Sequence, residues 1–296
     1  MTLQIGSYMG CVMRVHKGWI ALDIDGTITD ASHHVPGQVA HFLHTLYDKG
    51  WELIFITGRT FSFAHMALHV FGFPFYLALQ NGADILHMPS KRLVARNYLN
   101  SAIIQEIAQL YHAIPEDFII YTGYEHGDFC YYRPKKFSQA MLAHLRKIMP
   151  LSSEPWKEVD HFDFEASDQF PLIKCLGERN EMERLALKLG AIPSIVTTLI
   201  RDPLDNDRIY LNLVTHENAT KGKALLRAID EAKRKGYIIA AGDDLNDLSM
   251  LEMADCKIVM ENAPLEMHHL ADILAQSGQK QGIVAALKEA IHKCPS

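Results

Sequence analysis

Two aspartates, Asp23 and Asp25, stand one residue apart at the end of an apolar run, in the segment Trp-Ile-Ala-Leu-Asp-Ile-Asp-Gly-Thr at residues 19–27. A buried strand gains no stability from two such acids, so the pair needs a cation or a proton to offset its charge. The pair suits phosphoryl transfer, with one carboxylate attacking phosphorus and the other handling a proton. Either aspartate alone is more often a solvated loop residue. An EF-hand calcium loop is excluded, because His34 occupies the position that requires an acid.

Three further polar clusters occur where a sheet would bring them close to this pair. Two follow apolar runs, and the third opens a helical pattern with a lysine. They are Thr57-Gly58-Arg59, Gly242-Asp243-Asp244-Leu245-Asn246-Asp247 and Lys221-Gly222. Each cluster alone is typical of a turn, a loop or a solvated helix start. Because ligands bind at the carboxyl ends of the strands in an open parallel sheet, the combination predicts a single crevice.

The acids of these clusters predict a magnesium site. Mg²⁺ prefers near-octahedral oxygen ligands at roughly 2.0–2.1 Å, and its charge allows a carboxylate to approach a phosphate dianion. We expect the side chains of Asp23 and Asp243 to be ligands, together with the backbone carbonyl of Asp25. We expect Asp247 to hold a metal-bound water.

The chemistry of the residue types also suggests individual roles. Asp23 would attack phosphorus and form an aspartyl phosphate, and Asp25 would protonate the leaving oxygen and later deprotonate the attacking water. Both tasks of Asp25 require a pKa well above that of a free aspartate, which predicts partial burial. The phosphoryl oxygens would be held by side chains and backbone N–H groups at Thr57, Gly58, Lys221 and Asn246.

The elements that must position these residues follow from the apolar pattern. Nearly continuous apolar runs at 19–24, 53–56, 237–241 and 257–260 predict strands buried on both faces, as in a parallel sheet covered by helices. Amphipathic patterns predict helices over 39–47, ended by Gly50, and over 221–235. The fold class is therefore α/β, a Rossmann-like parallel sheet with helices on both faces.

The middle of the chain has a different pattern. Residues 83–216 combine a predicted hairpin near 118–133, a helix near 136–149 and a strand near 208–214. We interpret this stretch as an inserted α+β unit, so the α/β core would comprise residues 1–82 and 217–296. The expected hinges are Asn81-Gly82 and the segment 216–218.

In this order and spacing, the four clusters resemble the haloacid dehalogenase (HAD) superfamily, and within it the Cof-type phosphatases of subfamily IIB. The resemblance covers the whole α/β portion and implies that the insertion is a C2-type cap that sets substrate specificity. It implies that Asp23 is the nucleophile and Asp25 the acid/base. Thr57, Lys221 and Asn246 would bind phosphate, and Asp23, Asp25 and Asp243 would hold Mg²⁺. Lys223 is an alternative to Lys221, but only Lys221 immediately precedes the glycine.

The expected function is Mg²⁺-dependent hydrolysis of small phosphorylated metabolites, such as sugar phosphates. Two alternatives remain open. Phosphomannomutases resemble the same subfamily, so the chain could be a phosphosugar mutase that returns the phosphoryl group to the sugar. More distantly, it could be a non-catalytic protein that binds a phosphorylated ligand, although the complete set of acids argues against this.

Composition bounds the partners and the compartment. The chain has 296 residues and a net charge of -6, which disfavours a broad nucleic-acid surface. Its five cysteines form no Cys-x-x-Cys pair, which argues against a disulfide framework and a zinc site. No apolar run approaches the ~20 residues of a membrane span, and no Lys or Arg precedes Arg14 as in a signal peptide. These features predict a cytoplasmic protein that binds neither nucleic acid nor membrane.

Overall fold

The computed structural model describes residues 14–150, 154–202 and 208–294, which form two main β-sheets with flanking helices. The strands are β1 (Gly18–Leu22), β2 (Trp51–Ile56), β3 (Phe75–Leu79), β4 (Asp84–Met88), β5 (Arg92–Arg96), β6 (Leu99–Asn100), β7 (Phe118–Tyr121), β8 (Cys130–Tyr132), β9 (Trp156–Glu158), β10 (Gln169–Phe170), β11 (Leu172–Glu178), β12 (Ile195–Arg201), β13 (Ile209–His216), β14 (Tyr237–Gly242), β15 (Cys256–Met260) and β16 (Ile273–Ala275). The helices are α1 (Gly37–Asp48), α2 (Phe61–Leu68), α3 (Ala102–Leu110), α4 (Gln139–Ile148), α5 (Arg179–Leu189), α6 (Lys221–Ala232), α7 (Leu248–Leu251), α8 (Leu265–His268) and α9 (Ile283–Lys293).

The larger sheet has eight strands in the order β16-β15-β14-β1-β2-β3-β4-β5. Strand β1 lies near its centre, and Ala21 pairs in parallel with Ile54 of β2 and with Ala240 of β14. Strands β16 to β3 are parallel, whereas β4 and β5 add an antiparallel edge. Three strands that precede the predicted polar clusters are therefore neighbours, although the chain separates them widely.

Helices cover both faces of this sheet, because its central strands are apolar on both sides. Ile20 and Leu22 are fully buried and belong to one core with α1, α2 and α9. Trp19 and Ala21 point to the other face and belong to a second core with α6 and α7. The predicted α/β class is confirmed. The strand predicted over 19–24 ends earlier, at Leu22.

The smaller sheet has six strands in the order β12-β13-β11-β7-β8-β9. One face packs on α3 and α5, and the opposite face packs on α4. The hairpin predicted near 118–133 is present as β7 and β8. The predicted division of the chain at residue 83 stays a prediction, and β4 and β5, which follow that residue, pair within the eight-stranded sheet. None of the helices in the described ranges is long and apolar enough to span a bilayer.

Candidate active site

The carboxyl ends of β1, β2 and β14 bring the predicted clusters to one edge of the eight-stranded sheet. After β1, the N–H of Asp23 still donates to the carbonyl of Ala241 at 3.0 Å, which keeps its carboxylate beside the loop that follows β14. After β2, the N–H of Thr57 donates to the carbonyl of Ala78 at 2.9 Å. Strand pairing therefore fixes where each loop starts.

Gly26 allows the first and third loops to touch. It has a φ of +71°, and a Cβ added there would lie 1.9 Å from Oδ2 of Asp243. The same oxygen accepts a hydrogen bond from Nδ2 of Asn262 at 2.6 Å. A side chain at position 26 would collide with the Asp243 carboxylate, so this close approach requires glycine.

Lys221 joins two of the acids. It is the first residue of α6, and its Nζ lies 2.5 Å from Oδ1 of Asp23 and 2.6 Å from Oδ1 of Asp247. The other oxygen of Asp247 accepts from the backbone N–H groups of Asp243 at 2.9 Å and Asp244 at 3.1 Å. All three side chains of the Lys221 bridge are almost completely buried. The ammonium group therefore offsets part of a concentrated negative charge.

Burial dominates the electrostatics of this cluster. It raises the pKa of Asp23 to about 8, against the attraction of Lys221 and with further upward contributions from Asp247 and Asp25. Burial and the neighbouring carboxylates also hold the pKa of Asp243 well above its usual range. Burial opposes the charge of Lys221, but Asp23 and Asp247 raise the pKa of its ammonium above the usual value. The cluster has more carboxylates than Lys221 alone can neutralise.

The acid cluster fits a divalent cation. Within the described residues, one group of acids could hold a metal, and it consists of Asp23, Asp243 and Asp247, whose carboxylate oxygens lie within 4.8 Å of one another. This is near the ~4.2 Å between opposite ligands of an octahedral site with ~2.1 Å bonds. An all-oxygen donor set is the one that Mg²⁺ prefers. The predicted contribution of the Asp25 carbonyl stays a prediction.

The environment of Asp25 differs from the expectation. Nε of Arg59 donates to Oδ2 of Asp25 at 2.7 Å, Nη2 donates to Oδ1 at 2.5 Å, and Nδ1 of His33 lies 3.2 Å from Oδ1. Burial acts to raise the pKa of Asp25, but the hydrogen bonds and charges of Arg59 and His33 outweigh it and hold that pKa below its usual range. The expected raised pKa is therefore wrong for this arrangement, because a bidentate guanidinium stabilises the ionised carboxylate.

The predicted phosphate ligands surround the same edge. Thr57 is buried, and its Oγ1 accepts from the N–H of Arg59 at 3.1 Å, which leaves its hydroxyl hydrogen free to donate. Gly58 lies next in the chain. Nδ2 of Asn246 donates to Oδ1 of Asn81 at 3.1 Å, and Asn246 and Lys221 line a common cavity of about 230 Å³.

Some contacts of this site could not be read from the local pattern. Arg59 was visible in its cluster, but nothing indicated that it pairs with Asp25. Asn81 was interpreted as a hinge, and its side chain instead supports Asn246. Asn262 lies outside the four clusters, and its side-chain amide binds Asp243. For His33 no signal in the sequence indicated a place beside Asp25.

Comparisons with known proteins relate this chain to phosphatases. Two curated relatives come from Bacillus subtilis (strain 168). The putative phosphatase YxeH is 23% identical over 293 residues, covering 92% of this chain and 97% of the relative, and the phosphatase YwpJ is 24% identical over 285 residues, covering 91% and 98%. A solved haloacid dehalogenase-like hydrolase from B. subtilis has a TM-score of 0.73 at 22% identity, covering 91% of this chain and 98% of that one. A HAD subclass IIB sugar phosphatase has a TM-score of 0.71 at 18% identity, covering 93% and 99%.

These solved structures show the shared fold. The family model for haloacid dehalogenase-like hydrolases matches residues 20–287, a range that contains all four polar clusters. The resemblance seen in the sequence is thereby confirmed, and the chain belongs to the haloacid dehalogenase-like hydrolase family.

Proposed function

We propose that this chain is a Mg²⁺-dependent phosphatase that hydrolyses small phosphorylated metabolites, sugar phosphates or similar esters, through an aspartyl phosphate on Asp23. The observation that carries the proposal is the buried Asp23 carboxylate, which Lys221 holds within a cluster that includes Asp243 and Asp247. The names of the two curated relatives, both phosphatases, support phosphate esters as substrates. The sugar phosphatase of the same fold agrees with this class. A cytoplasmic location stays a prediction from the sequence.

In the proposed reaction, the Asp23 carboxylate attacks phosphorus in line, the bond from phosphorus to the leaving oxygen breaks, and Asp25 gives that oxygen a proton. Water then attacks the aspartyl phosphate, gives a proton to Asp25 and frees the Asp23 carboxylate. Asp25 must first leave Arg59, because the ion pair keeps it ionised. Mg²⁺ held by Asp23, Asp243 and Asp247 would offset the negative charge of the phosphate group.

The remaining donors would hold the phosphoryl oxygens. The ammonium of Lys221 has three N–H donors. Two of them bond to Asp23 and Asp247, so one remains for the substrate. The Thr57 hydroxyl and the backbone N–H of Gly58 lie on the neighbouring loop. Asn246 would add an amide donor once its side chain exchanges Asn81 for the substrate. Donors fixed in this way before the reaction stabilise the charge that develops on the phosphoryl group.

We propose that the six-stranded unit is the cap over this site and that residues 1–82 and 217–296 belong to the catalytic core. Two contacts between the units support this arrangement. Oγ1 of Thr60 donates to Oε2 of Glu154 at 3.1 Å, and Nε2 of Gln80 donates to the carbonyl of Thr122 at 3.4 Å. The pairing of β4 and β5 within the eight-stranded sheet favours a cap that begins after Arg96.

The decisive experiment compares Asp23→Asn with wild type on p-nitrophenyl phosphate and Mg²⁺. We expect kcat to fall by more than about 10³-fold, because the amide of asparagine cannot act as the nucleophile. Acid-quenched wild type should carry one phosphoryl group on Asp23, detectable by mass spectrometry, and Asp25→Ala should slow both steps. Asp30→Asn is the control, because in the described part of the chain the Asp30 carboxylate accepts hydrogen bonds from Ser32 and His34 of its own loop.

Turnover by Asp23→Asn close to that of wild type would refute the nucleophile assignment. Isomerisation of mannose 1-phosphate without phosphate release, in the presence of a bisphosphate activator, would instead identify a phosphosugar mutase.

A further inference from the structure

The face of the six-stranded sheet that packs on α4 also contributes residues of β12 and β13 to the cavity beside the candidate active site. The cavity of about 230 Å³ is lined on the core side by Lys221 and Asn246, which belong to that site. On the other side it is lined by Val196, Thr198 and Thr215, which belong to β12 and β13. Lys221, whose ammonium pairs with Asp23, thus lines the same cavity as this face of the sheet.

The strand register places Lys174 of β11 on the same face. Thr215 pairs with Val196, and Leu213 pairs both with Thr198 and with Lys174. Directly paired residues of antiparallel strands share a face, and the strands lie about 4.8 Å apart. Lys174 and Thr198 are therefore in one row across the sheet, with Leu213 between them.

Lys174 is a cation with apolar and aromatic neighbours on this face. Its neighbours there are the apolar Ile119, Leu172 and Leu176 and the ring of Tyr121. Its Nζ lies 4.6 Å from the centroid of the Tyr121 ring, one strand away. The side chain is half-buried, so part of its hydration is lost.

No residue that the structure describes has a carboxylate oxygen within 4.0 Å of the Lys174 ammonium. Glu154 approaches the same region, near Cys130, and its Oε2 accepts from Oγ1 of Thr60. A partly desolvated cation without a carboxylate partner is costly unless a ligand completes it. An aromatic ring compensates only part of that cost.

We infer that Lys174 binds a second anionic group of the substrate, so that the preferred esters carry a carboxylate or a second phosphate on the leaving group. This inference rests on the proposed phosphatase function and deepens it. The core would bind the phosphate to be cleaved, and Lys174 would select the leaving group by charge. The Tyr121 ring would hold the ammonium in place before the substrate binds.

The test compares kcat/KM for sugar phosphates with and without a second anionic group. Glucose 6-phosphate has a neutral leaving group, 6-phosphogluconate adds a carboxylate, and glucose 1,6-bisphosphate adds a phosphate. We expect wild type to favour one or both anionic esters. Lys174→Met keeps the aliphatic stem, and it should reduce the preference by about tenfold or more, mainly through KM, because a charged hydrogen bond is lost. Lys174→Arg should restore part of it.

Lys157→Met is the matched control. Nζ of Lys157 also lies over an aromatic ring, 3.3 Å from the centroid of Phe129, but Lys157 pairs with Tyr131 on the opposite face of the sheet. The substrate preference of Lys157→Met should equal that of wild type. A preference that is unchanged in Lys174→Met, or a loss that is equal for all three esters, would overturn the inference.

If wild type hydrolyses none of the three esters, the proposed function fails only when p-nitrophenyl phosphate is also left intact. The assignment of Lys174 is then decided by the rise in Tm that 6-phosphogluconate causes. A smaller rise in Lys174→Met than in wild type supports it, and equal rises refute it.

Discussion

Oδ2 of Asp128 accepts hydrogen bonds from both the backbone N–H and the hydroxyl of Ser62, each at 2.6 Å. Its Oδ1 accepts from the N–H of Phe61 at 3.1 Å. These residues open α2, whose own N-cap, Thr60, makes no side-chain capping bond. An aspartate of the loop between β7 and β8 thus caps a helix of the other unit. The carboxylate also suits the positive end of the helix dipole.

Removing this cap should destabilise the protein. Asp128 is buried, so Asp128→Ala leaves the α2 donors without a partner, and we expect the free energy of unfolding to fall by about 1–2 kcal/mol. Asp128→Asn keeps an acceptor oxygen, so its free energy of unfolding should fall by less. Urea titration followed by circular dichroism measures both. Asp160→Ala is the control, since its pair with Lys135 is on the surface, and its midpoint should stay close to wild type. Equal midpoints for the two alanine variants would contradict the capping role.

The sequence predicts those parts of the site whose positions depend only on the order of the strands. Asp23, Thr57 and Asp243 each follow an apolar strand, and parallel neighbours end at the same edge, so their proximity was predictable. The direction of a side chain beyond the strand end depends on loop torsions and on partners from elsewhere. The pairing of Asp25 with Arg59, 34 residues away, is of this kind. So is the contact of Asp128 with α2, for which no local pattern gives a signal.

Adding one methyl group at Gly26 should disturb the metal site. The φ of +71° costs an alanine about 1–2 kcal/mol, and its Cβ would lie 1.9 Å from Oδ2 of Asp243. We expect Gly26→Ala to displace Asp243, to lower kcat/KM by about tenfold or more and to raise the Mg²⁺ concentration for half-maximal activity. Gly37→Ala adds the same group where nothing lies within 4 Å, and it should retain wild-type kinetics. An unchanged Mg²⁺ dependence in Gly26→Ala would show that the two loops separate easily.

Mg²⁺ should stabilise the folded chain independently of turnover. A ligand that binds only the folded state at 100 times its Kd adds about 2.7 kcal/mol, so Tm should rise with Mg²⁺ and fall back with EDTA. Asp243→Asn removes one carboxylate of the cluster and should abolish most of the rise. Glu266→Gln changes an exposed acid on α8 and should keep it. Identical shifts in all three proteins would place the binding of Mg²⁺ elsewhere.

Asp84 should make stability depend on pH. It is fully buried at the start of β4, where Oδ2 accepts from the Tyr98 hydroxyl at 2.5 Å and from the N–H of Tyr124 at 3.0 Å. Burial raises the pKa of Asp84, and these hydrogen bonds and Arg96 only partly oppose it. The protonated form of Asp84 is therefore favoured more in the folded state than in the unfolded state. The stability that protonated Asp84 contributes is complete below about pH 3.9, the pKa of an aspartate in the unfolded chain. It is lost as pH rises through the higher pKa that Asp84 has in the folded chain.

Asp84→Asn does not titrate, so the difference in unfolding free energy between this variant and wild type isolates the carboxyl group. We expect that difference to move in favour of the variant as pH rises from about 4 toward neutrality, because only wild type must then bury a charge. Tyr98→Phe removes a hydrogen bond that lowers the pKa of Asp84. In this variant the loss of stability with rising pH should therefore occur at higher pH than in wild type. Urea unfolding at several pH values measures all three. Parallel curves for Asp84→Asn and wild type would mean that Asp84 ionises as readily in the folded chain as in the unfolded one.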